Sequence, residues 1–319
     1  MKITDIAIIF VIITLPFLLL LRIKSENLHS VEYKSILLNK YLDTAVEDAT
    51  DAMIIRGEND KVAISRDKAL NVFFDTLYTN LNLADNEISK YTLQGYIPVI
   101  VLIDYDGFWI YSMEAYKNDA GEEIGEMIWK PKKSFAYEQE GFVFLFTLDD
   151  YVQVFDIKNN KFFEGKLEAV KAYLPNSELL QDEALFEQVR KRTIVECIKN
   201  DVNTEINEHN KFARLFGITY NFIPPVISND DWQNNIEDIG ILSFTQGIPI
   251  GLSGERYNSY ALGAARVVRK EHYFIQQSDN GLYYYHREQC PLVTSKGQIY
   301  DSRQQCAIKG AFPCKSCKP

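Results

Sequence analysis

The 319 residues carry 34 Lys and Arg against 44 Asp and Glu, a net charge of −10, with 46% hydrophobic and 24% charged residues. This balance excludes wholesale disorder and condensation of the whole molecule on nucleic acid, and 10 Pro with 16 Gly exclude a collagen-like or linker-dominated chain. The length suits roughly two domains of ~150 residues, while five Cys are too few for a disulfide scaffold and leave one unpaired.

From Ile6 to Leu21 the chain runs without a charge. Extended to residues 3–23, with Asp5 and Arg22 at its ends, the segment approaches the ~20 residues needed to cross a bilayer. Pro16 is tolerated in a spanning helix. A cleaved signal peptide is the alternative, but RIKSENLHS after the apolar run offers no small-residue cleavage site. The expectation is an uncleaved single-pass anchor in the cell membrane. Its orientation stays open, because Arg22, Lys24 and Lys34 after the span set only a weak bias against Lys2 before it.

From Ser25 to Arg56, Leu28, Val31, Leu38, Leu42, Ala45, Ala49 and Met53 recur at mostly three- and four-residue steps, predicting one long helix that continues from the span and ends at Gly57. A second helix is expected over residues 66–83. The period then changes: residues 96–104 and 108–113 flank Tyr105-Asp106-Gly107 as a β-hairpin, and 142–148, 151–156 and 161–164 continue as short strands. A long helix is expected over 183–215. Pro224-Pro225 breaks the chain, and 230–244 reads as a further helix capped by Ser228 or Asn229. Strands resume at 259–269 and 272–277. The expected fold is α+β: an anchor over 1–24, a helical stalk over 25–95, a mixed α/β body with antiparallel strands over 96–280, and a small C-terminal module over 281–319.

Reactive groups do not converge in the body. There is no G-x-S-x-G elbow, and the glycines of GIPIGLSG (Gly247, Gly251, Gly254) lack the Lys-Ser/Thr of a phosphate loop. Glu205-Ile-Asn-Glu-His209 resembles an inverted zinc-protease helix, but Glu205 stands where a first His is needed, so a solvated helix face is expected. Asp104 and Asp106 are expected as turn residues. His29 and His272 have no His or Cys at metal spacing, and Cys197 reads as a small apolar core residue. No catalytic residue is assigned.

The tail differs. Four of the five Cys fall in residues 283–319, where His286-x3-Cys290 and Cys314-x2-Cys317 form two short ligand pairs. A tetrahedral Zn²⁺ takes four N and S donors, and short loops place two of them on one ion. A segment this small cannot bury enough core to fold alone, so a structural zinc on His286, Cys290, Cys314 and Cys317 is expected to supply folding energy. A short helix over 303–309, capped by Ser302 and ended by Gly310, carries Cys306 as a packing residue. Two disulfides among the four Cys are the alternative, and they leave His286 without a role.

Those residues carry a resemblance. Tyr285-His286-x3-Cys290, Asp301-Ser302, Ala307-x2-Gly310 and Pro313-Cys314-x2-Cys317-Lys318-Pro319 look like the small metal-binding domain of the Ada DNA-repair family. In that family the first ligand is a Cys that accepts a methyl group from DNA phosphotriesters. The resemblance implies the metal, while His286 at that position argues against methyl transfer. More loosely, the apolar N-terminus, LDTAVEDATDAM (Leu42–Met53) and NFIPPV (Asn221–Val226) look similar to membrane-anchored components of Tad-type pilus or related bacterial surface-assembly systems. No prepilin-peptidase signature precedes the apolar segment, which argues against a pilin proper.

Charge divides accordingly. In residues 1–24, Lys2, Arg22 and Lys24 against Asp5 leave +2; in 281–319, Arg287, Lys296, Arg303, Lys309, Lys315 and Lys318 against Glu288 and Asp301 leave +4; the rest carries −16. The function expected is a non-enzymatic assembly or interaction protein with a zinc tail, its partners the membrane through residues 3–23 and other membrane or surface proteins. The alternatives are a nucleic-acid-binding or repair-related protein, with contact confined to the basic tail, and an anchored ligand sensor.

Overall fold

The computed structural model describes residues 3–56, 62–121, 123–224, 227, 238–265, 273–278, 281–287, 290, 292–293, 298–300 and 303–317. The chain divides into two compact units, residues 1–55 with 63–266, and residues 56–62 with 267–319.

In the first unit, helix α1 (Ile3–Met53) buries Leu42, Ala45, Val46, Ala49 and Met53 to 2% exposure or less. Leu42, Ala45, Ala49 and Met53 are the buried part of the stripe expected from three- and four-residue spacing, whereas Leu28 of that stripe is exposed. After β1 (Ile54–Arg56) and β2 (Val62–Ile64), which pair as a two-stranded sheet, helix α2 (Arg66–Asn80) returns along α1. Ser65 is its N-cap, and it buries Ala69, Phe73, Phe74, Leu77 and Tyr78. Helix α3 (Glu87–Gly95) begins at Asn86, whose Oδ1 accepts from Ser89 N at 3.0 Å.

Five antiparallel strands form the main sheet: β3 (Val99–Asp104), β4 (Gly107–Lys117), β5 (Glu123–Trp129), β10 (Ile239–Pro249) and β11 (Arg256–Ala265), in the order β11-β10-β3-β4-β5. The hairpin over Tyr105-Asp106 is as expected, with Asp104 opposite Gly107. Helix α1 lies on β10 and β11. There a Cβ on Gly263 would stand 2.7 Å from Val46 Cγ1 and 2.9 Å from Thr50 Oγ1, so only glycine lets helix and strand approach this closely.

A meander of β6 (Phe135–Gln139), β7 (Phe142–Phe146), β8 (Tyr151–Asp156) and β9 (Lys161–Lys166) forms a second antiparallel sheet. Phe135, Phe144, Phe146, Val152 and Val154 are buried there at 0–1% exposure. After α4 (Leu167–Tyr173) and α5 (Glu178–Gln181), helix α6 (Glu183–Phe212) packs against β3, β4 and β6. Asp182 caps it by accepting from Ala184 N and Leu185 N, and a 3₁₀ turn over Ala213–Phe216 ends at Gly217 with φ of 72°.

Three expectations need correction. Among the described residues no helix is long and apolar enough to cross a membrane. The single-pass anchor over residues 3–23 and the cell-membrane localisation are overturned with it. Second, of the helix expected over 230–244, residues 230–237 and the cap candidates Ser228 and Asn229 lie outside the described residues, and Ile239–Phe244 is strand. Third, the helix face around Glu205 and His209 is not solvated, since these side chains are 5% and 0% exposed. Gly57, Pro225, His272 and Ser302 lie outside the described residues.

The second unit holds β12 (Tyr273–Gln277), β13 (Tyr283–Arg287), β14 (Ile299–Tyr300), helix α7 (Arg303–Ile308) and β15 (Phe312–Pro313), with sheet order β14-β12-β13-β15. Its apolar centre is Tyr273, Tyr285, Cys306 and Ala311, with Ile275 and Tyr300 against it. Among the described residues this is a small apolar centre.

Candidate metal centre

Three short pieces of the second unit converge on one point. His286 sits on β13, opposite Phe274 of β12. The chain then turns back, with Cys290 N donating to Arg287 O at 3.0 Å, and this turn brings the Cys290 thiol to 3.3 Å from His286 Nδ1. The other pair arrives through α7 and β15. Gly310, with φ of 77°, ends the helix, and Ala311 N donates to Cys306 O. β15 then pairs in parallel with β13, Tyr284 opposite Phe312 and Tyr285 opposite Pro313. Cys314 N donates to Tyr285 O at 3.1 Å, which sets Cys314 next to His286.

The donor atoms of His286, Cys290, Cys314 and Cys317 all lie within 4.8 Å of one another, so these four residues form a group that can hold a metal ion. His286, Cys290 and Cys314 are buried at 4–5% exposure, and Cys317 is half-buried. The three cysteines are free thiols rather than disulfides. The four residues paired by spacing in the sequence are thus brought together by the fold.

The surroundings suit a ligated state. A metal-binding imidazole must be neutral, and burial pushes His286 below its ordinary value. Burial would raise Cys314, but the backbone N–H groups of Cys317 and Ser316 donate to its sulfur, the latter at 3.4 Å, and hold it below the usual thiol range. Without a cation the neighbouring thiols cannot all ionise, and burial pushes Cys317 up to about 11 although the Arg287 backbone donates to it. A bound cation removes that conflict by replacing the protons. Cys306, fully buried among Tyr273, Tyr285 and Ala311, is a packing residue as expected.

The remaining candidates go elsewhere. Asp104 and Asp106 share Lys132 Nζ, at 2.5 Å from Asp104, and that ammonium sits 4.6 Å from the centre of the Trp109 ring, so the carboxylates pin a turn. Cys197 is half-buried on α6 with Sγ 3.9 Å from Ala136 O, and burial pushes its thiol up. Gly247 and Gly254 have φ of 87° and 94°, as turn glycines do. Asn27 and Glu255 brace that loop against α1, Asn27 Nδ2 donating to Glu255 Oε1 at 2.8 Å and Leu252 N to Asn27 Oδ1 at 3.1 Å. The polar group missed from the sequence is Ser112, Lys130 and Glu205, joined across β4 and α6. Only the three-dimensional contact reveals it, because no short spacing links the three.

No family model, curated protein or solved structure matches this chain. Its function is therefore argued from the site.

Proposed function

We propose that the chain is a non-enzymatic assembly or interaction protein whose C-terminal module is held by a structural zinc ion, an Ada-like metal module with His286 as first donor. The observation that carries the zinc is the closed donor set. Three Cys and one His converge within 4.8 Å, and a tetrahedron with Zn–S of ~2.3 Å and Zn–N of ~2.0–2.1 Å needs edges of roughly 3.5–3.8 Å, so the donors close on an ion by shifts of about 1 Å. Three soft thiolates and an imidazole select zinc over oxygen-seeking cations. With four protein donors no position is left for a reacting water, which separates a structural site from a hydrolytic one. The folding energy an ion brings also explains how so small an apolar centre is sustained.

The interaction role is supported by α1. Phe10, Ile13, Phe17 and Leu20 are exposed at 62–66%, an array of large apolar side chains that a working protein covers with a partner. The likeness of Leu42–Met53 and Asn221–Val226 to surface-assembly components points the same way. A second reading, nucleic-acid contact through the basic tail, is favoured by the exposed Lys309 and Lys315.

Elemental analysis of the purified full chain tests the zinc, with one equivalent per chain expected and none overturning it. For the interaction role, sedimentation of the full chain is expected to show an assembly that Phe17→Ser with Leu20→Ser disperses. A monomer unchanged by those substitutions overturns it. Salt-sensitive binding of oligonucleotides by the full chain, lost in Lys309→Glu with Lys315→Glu, would replace it with the second reading.

A further inference from the structure

We propose that Cys317 is an oxidation site, at which a peroxide-class oxidant converts Cys314 and Cys317 to a disulfide and so empties the metal centre. The inference rests on the zinc reading above. Its basis is the unequal exposure of otherwise equivalent donors. His286, Cys290 and Cys314 are buried at 4–5% exposure, whereas Cys317 is half-buried, so of the four donor residues Cys317 is the most open to solvent. The thiol that must answer it is within reach, because the Cys314 and Cys317 sulfurs lie within 4.8 Å of one another and the two residues are joined by a two-residue loop. Closing so short a loop costs little chain entropy compared with recruiting Cys290 from a separate turn. Cys306, the other cysteine of this unit, is badly placed, sealed at 0% exposure in the apolar centre.

The step balances with hydrogen peroxide as oxidant. The Cys317 thiolate attacks one peroxide oxygen; an S–O bond forms, the O–O bond breaks, and hydroxide leaves to be protonated to water. The product is a sulfenic acid at Cys317. The Cys314 thiolate then attacks that sulfur; an S–S bond forms, the S–O bond breaks, and a second hydroxide leaves as water. Two electrons pass from the sulfurs to the peroxide, and two thiolates with one peroxide and two protons give one disulfide and two waters. Only His286 and Cys290 then remain as donors, half of a tetrahedral set. A thiol reductant reverses the change, so the module becomes a reversible reporter of peroxide.

The test uses zinc-loaded full-length protein treated with hydrogen peroxide, with zinc followed by a chromogenic chelator and disulfides mapped by mass spectrometry. The expected result is one zinc released per Cys314–Cys317 disulfide, with zinc retaken after dithiothreitol. Cys317→His, which keeps a fourth donor that peroxide does not oxidise, is expected to retain zinc and slow its release at least tenfold, while Cys306→Ala leaves the rate unchanged. Should Cys317→His fail to fold, dimedone trapping in the wild-type protein at low peroxide is expected to label Cys317 before Cys290. A disulfide at another pair, release unaffected by Cys317→His, or first labelling at Cys290 overturns the inference and leaves the zinc reading intact. Protein that is purified without zinc and does not take it up overturns both.

Discussion

Glu205 Oε2 lies 2.6 Å from Lys130 Nζ, in a contact where the two side chains are only 6% and 18% exposed. Ser112 Oγ donates to the same oxygen at 2.8 Å, and Glu114 takes a second bond from Lys130 at 3.0 Å. Helix α6 is thereby bolted to the sheet through a buried charge pair. Breaking such a pair leaves one charge desolvated and costs about 3–5 kcal/mol, whereas an apolar replacement of both partners is near neutral. Glu205→Ala is expected near the lower end, about 3 kcal/mol, because Glu114 still faces Lys130. The double variant Glu205→Leu with Lys130→Met is expected to recover most of that loss. Urea unfolding of wild type, Glu205→Leu, Lys130→Met and the double variant checks the cycle, and additive losses would show that the pair carries no coupling.

One turn further along α6, His209 is fully buried, with Nε2 2.8 Å from Gly95 O and the ring between Phe216 and Phe222. Nδ1 meets no partner among the described residues, so the imidazole is neutral with its proton on Nε2. Burial pushes it down to about 4, against 6.5 for the free side chain. Between pH 6.5 and 4 the unfolded chain therefore takes up a proton that the folded chain refuses. The contribution is fully present above pH 6.5 and is lost as pH falls toward 4, by about 3 kcal/mol in all. His209→Gln keeps a donor for Gly95 O but does not titrate. Stability measured from pH 7 to 4 should fall less steeply in this variant than in wild type; parallel curves would count against the assignment.

How much of this was legible in the sequence follows from which forces are local. The His/Cys group that can hold a metal was legible because each pair is set by a short turn, His286 to Cys290 and Cys314 to Cys317. The α1 stripe was legible because Leu42, Ala45, Ala49 and Met53 repeat on one helical face. Strand β10 was not, since Ile239–Gln246 is buried at every position between β3 and β11, so no two-residue alternation marks it as strand. Glu205 and His209 were misjudged for a related reason. A charged or polar residue on a helix signals solvent unless its partner is known, and Lys130 and Gly95 lie far away in the chain. Glu123–Trp129 and Phe135–Gln139 went unassigned because charged and polar residues interrupt their alternation.

The contact of Gly263 with Val46 and Thr50 makes a sharper packing test than a core truncation. An added methyl at 2.7 Å from Val46 Cγ1 forces α1 away from β11 or the side chains off their rotamers. Overpacking of this kind costs about 1–3 kcal/mol. Gly263→Ala is expected to destabilise by that amount, and Val46→Ala added to it should restore part of the loss by removing the obstructing methyl groups. Thermal unfolding of the single and double variants reads the effect. A Gly263→Ala protein as stable as wild type would mean that helix and strand do not approach as described.

The metal prediction is the most localised. If zinc supplies the folding energy of the second unit, its removal should release the ordering of β12, β13, α7 and β15 together, because each carries a donor or packs on Tyr285 and Cys306 beside one. No donor comes from the sheet β11-β10-β3-β4-β5, so hydrogen exchange in that sheet is expected to stay protected when a chelator is added. Exchange across residues 273–317 should accelerate to near unfolded rates. Cys314→Ser is expected to reproduce the chelated pattern without chelator, since losing one thiolate of three weakens the centre and leaves a hydroxyl too poorly ionised to replace it. Cys306→Ala removes only a small buried side chain and should cost about 1 kcal/mol without loss of metal. Protection over 273–317 that survives chelation would show instead that the small apolar centre folds by its own burial.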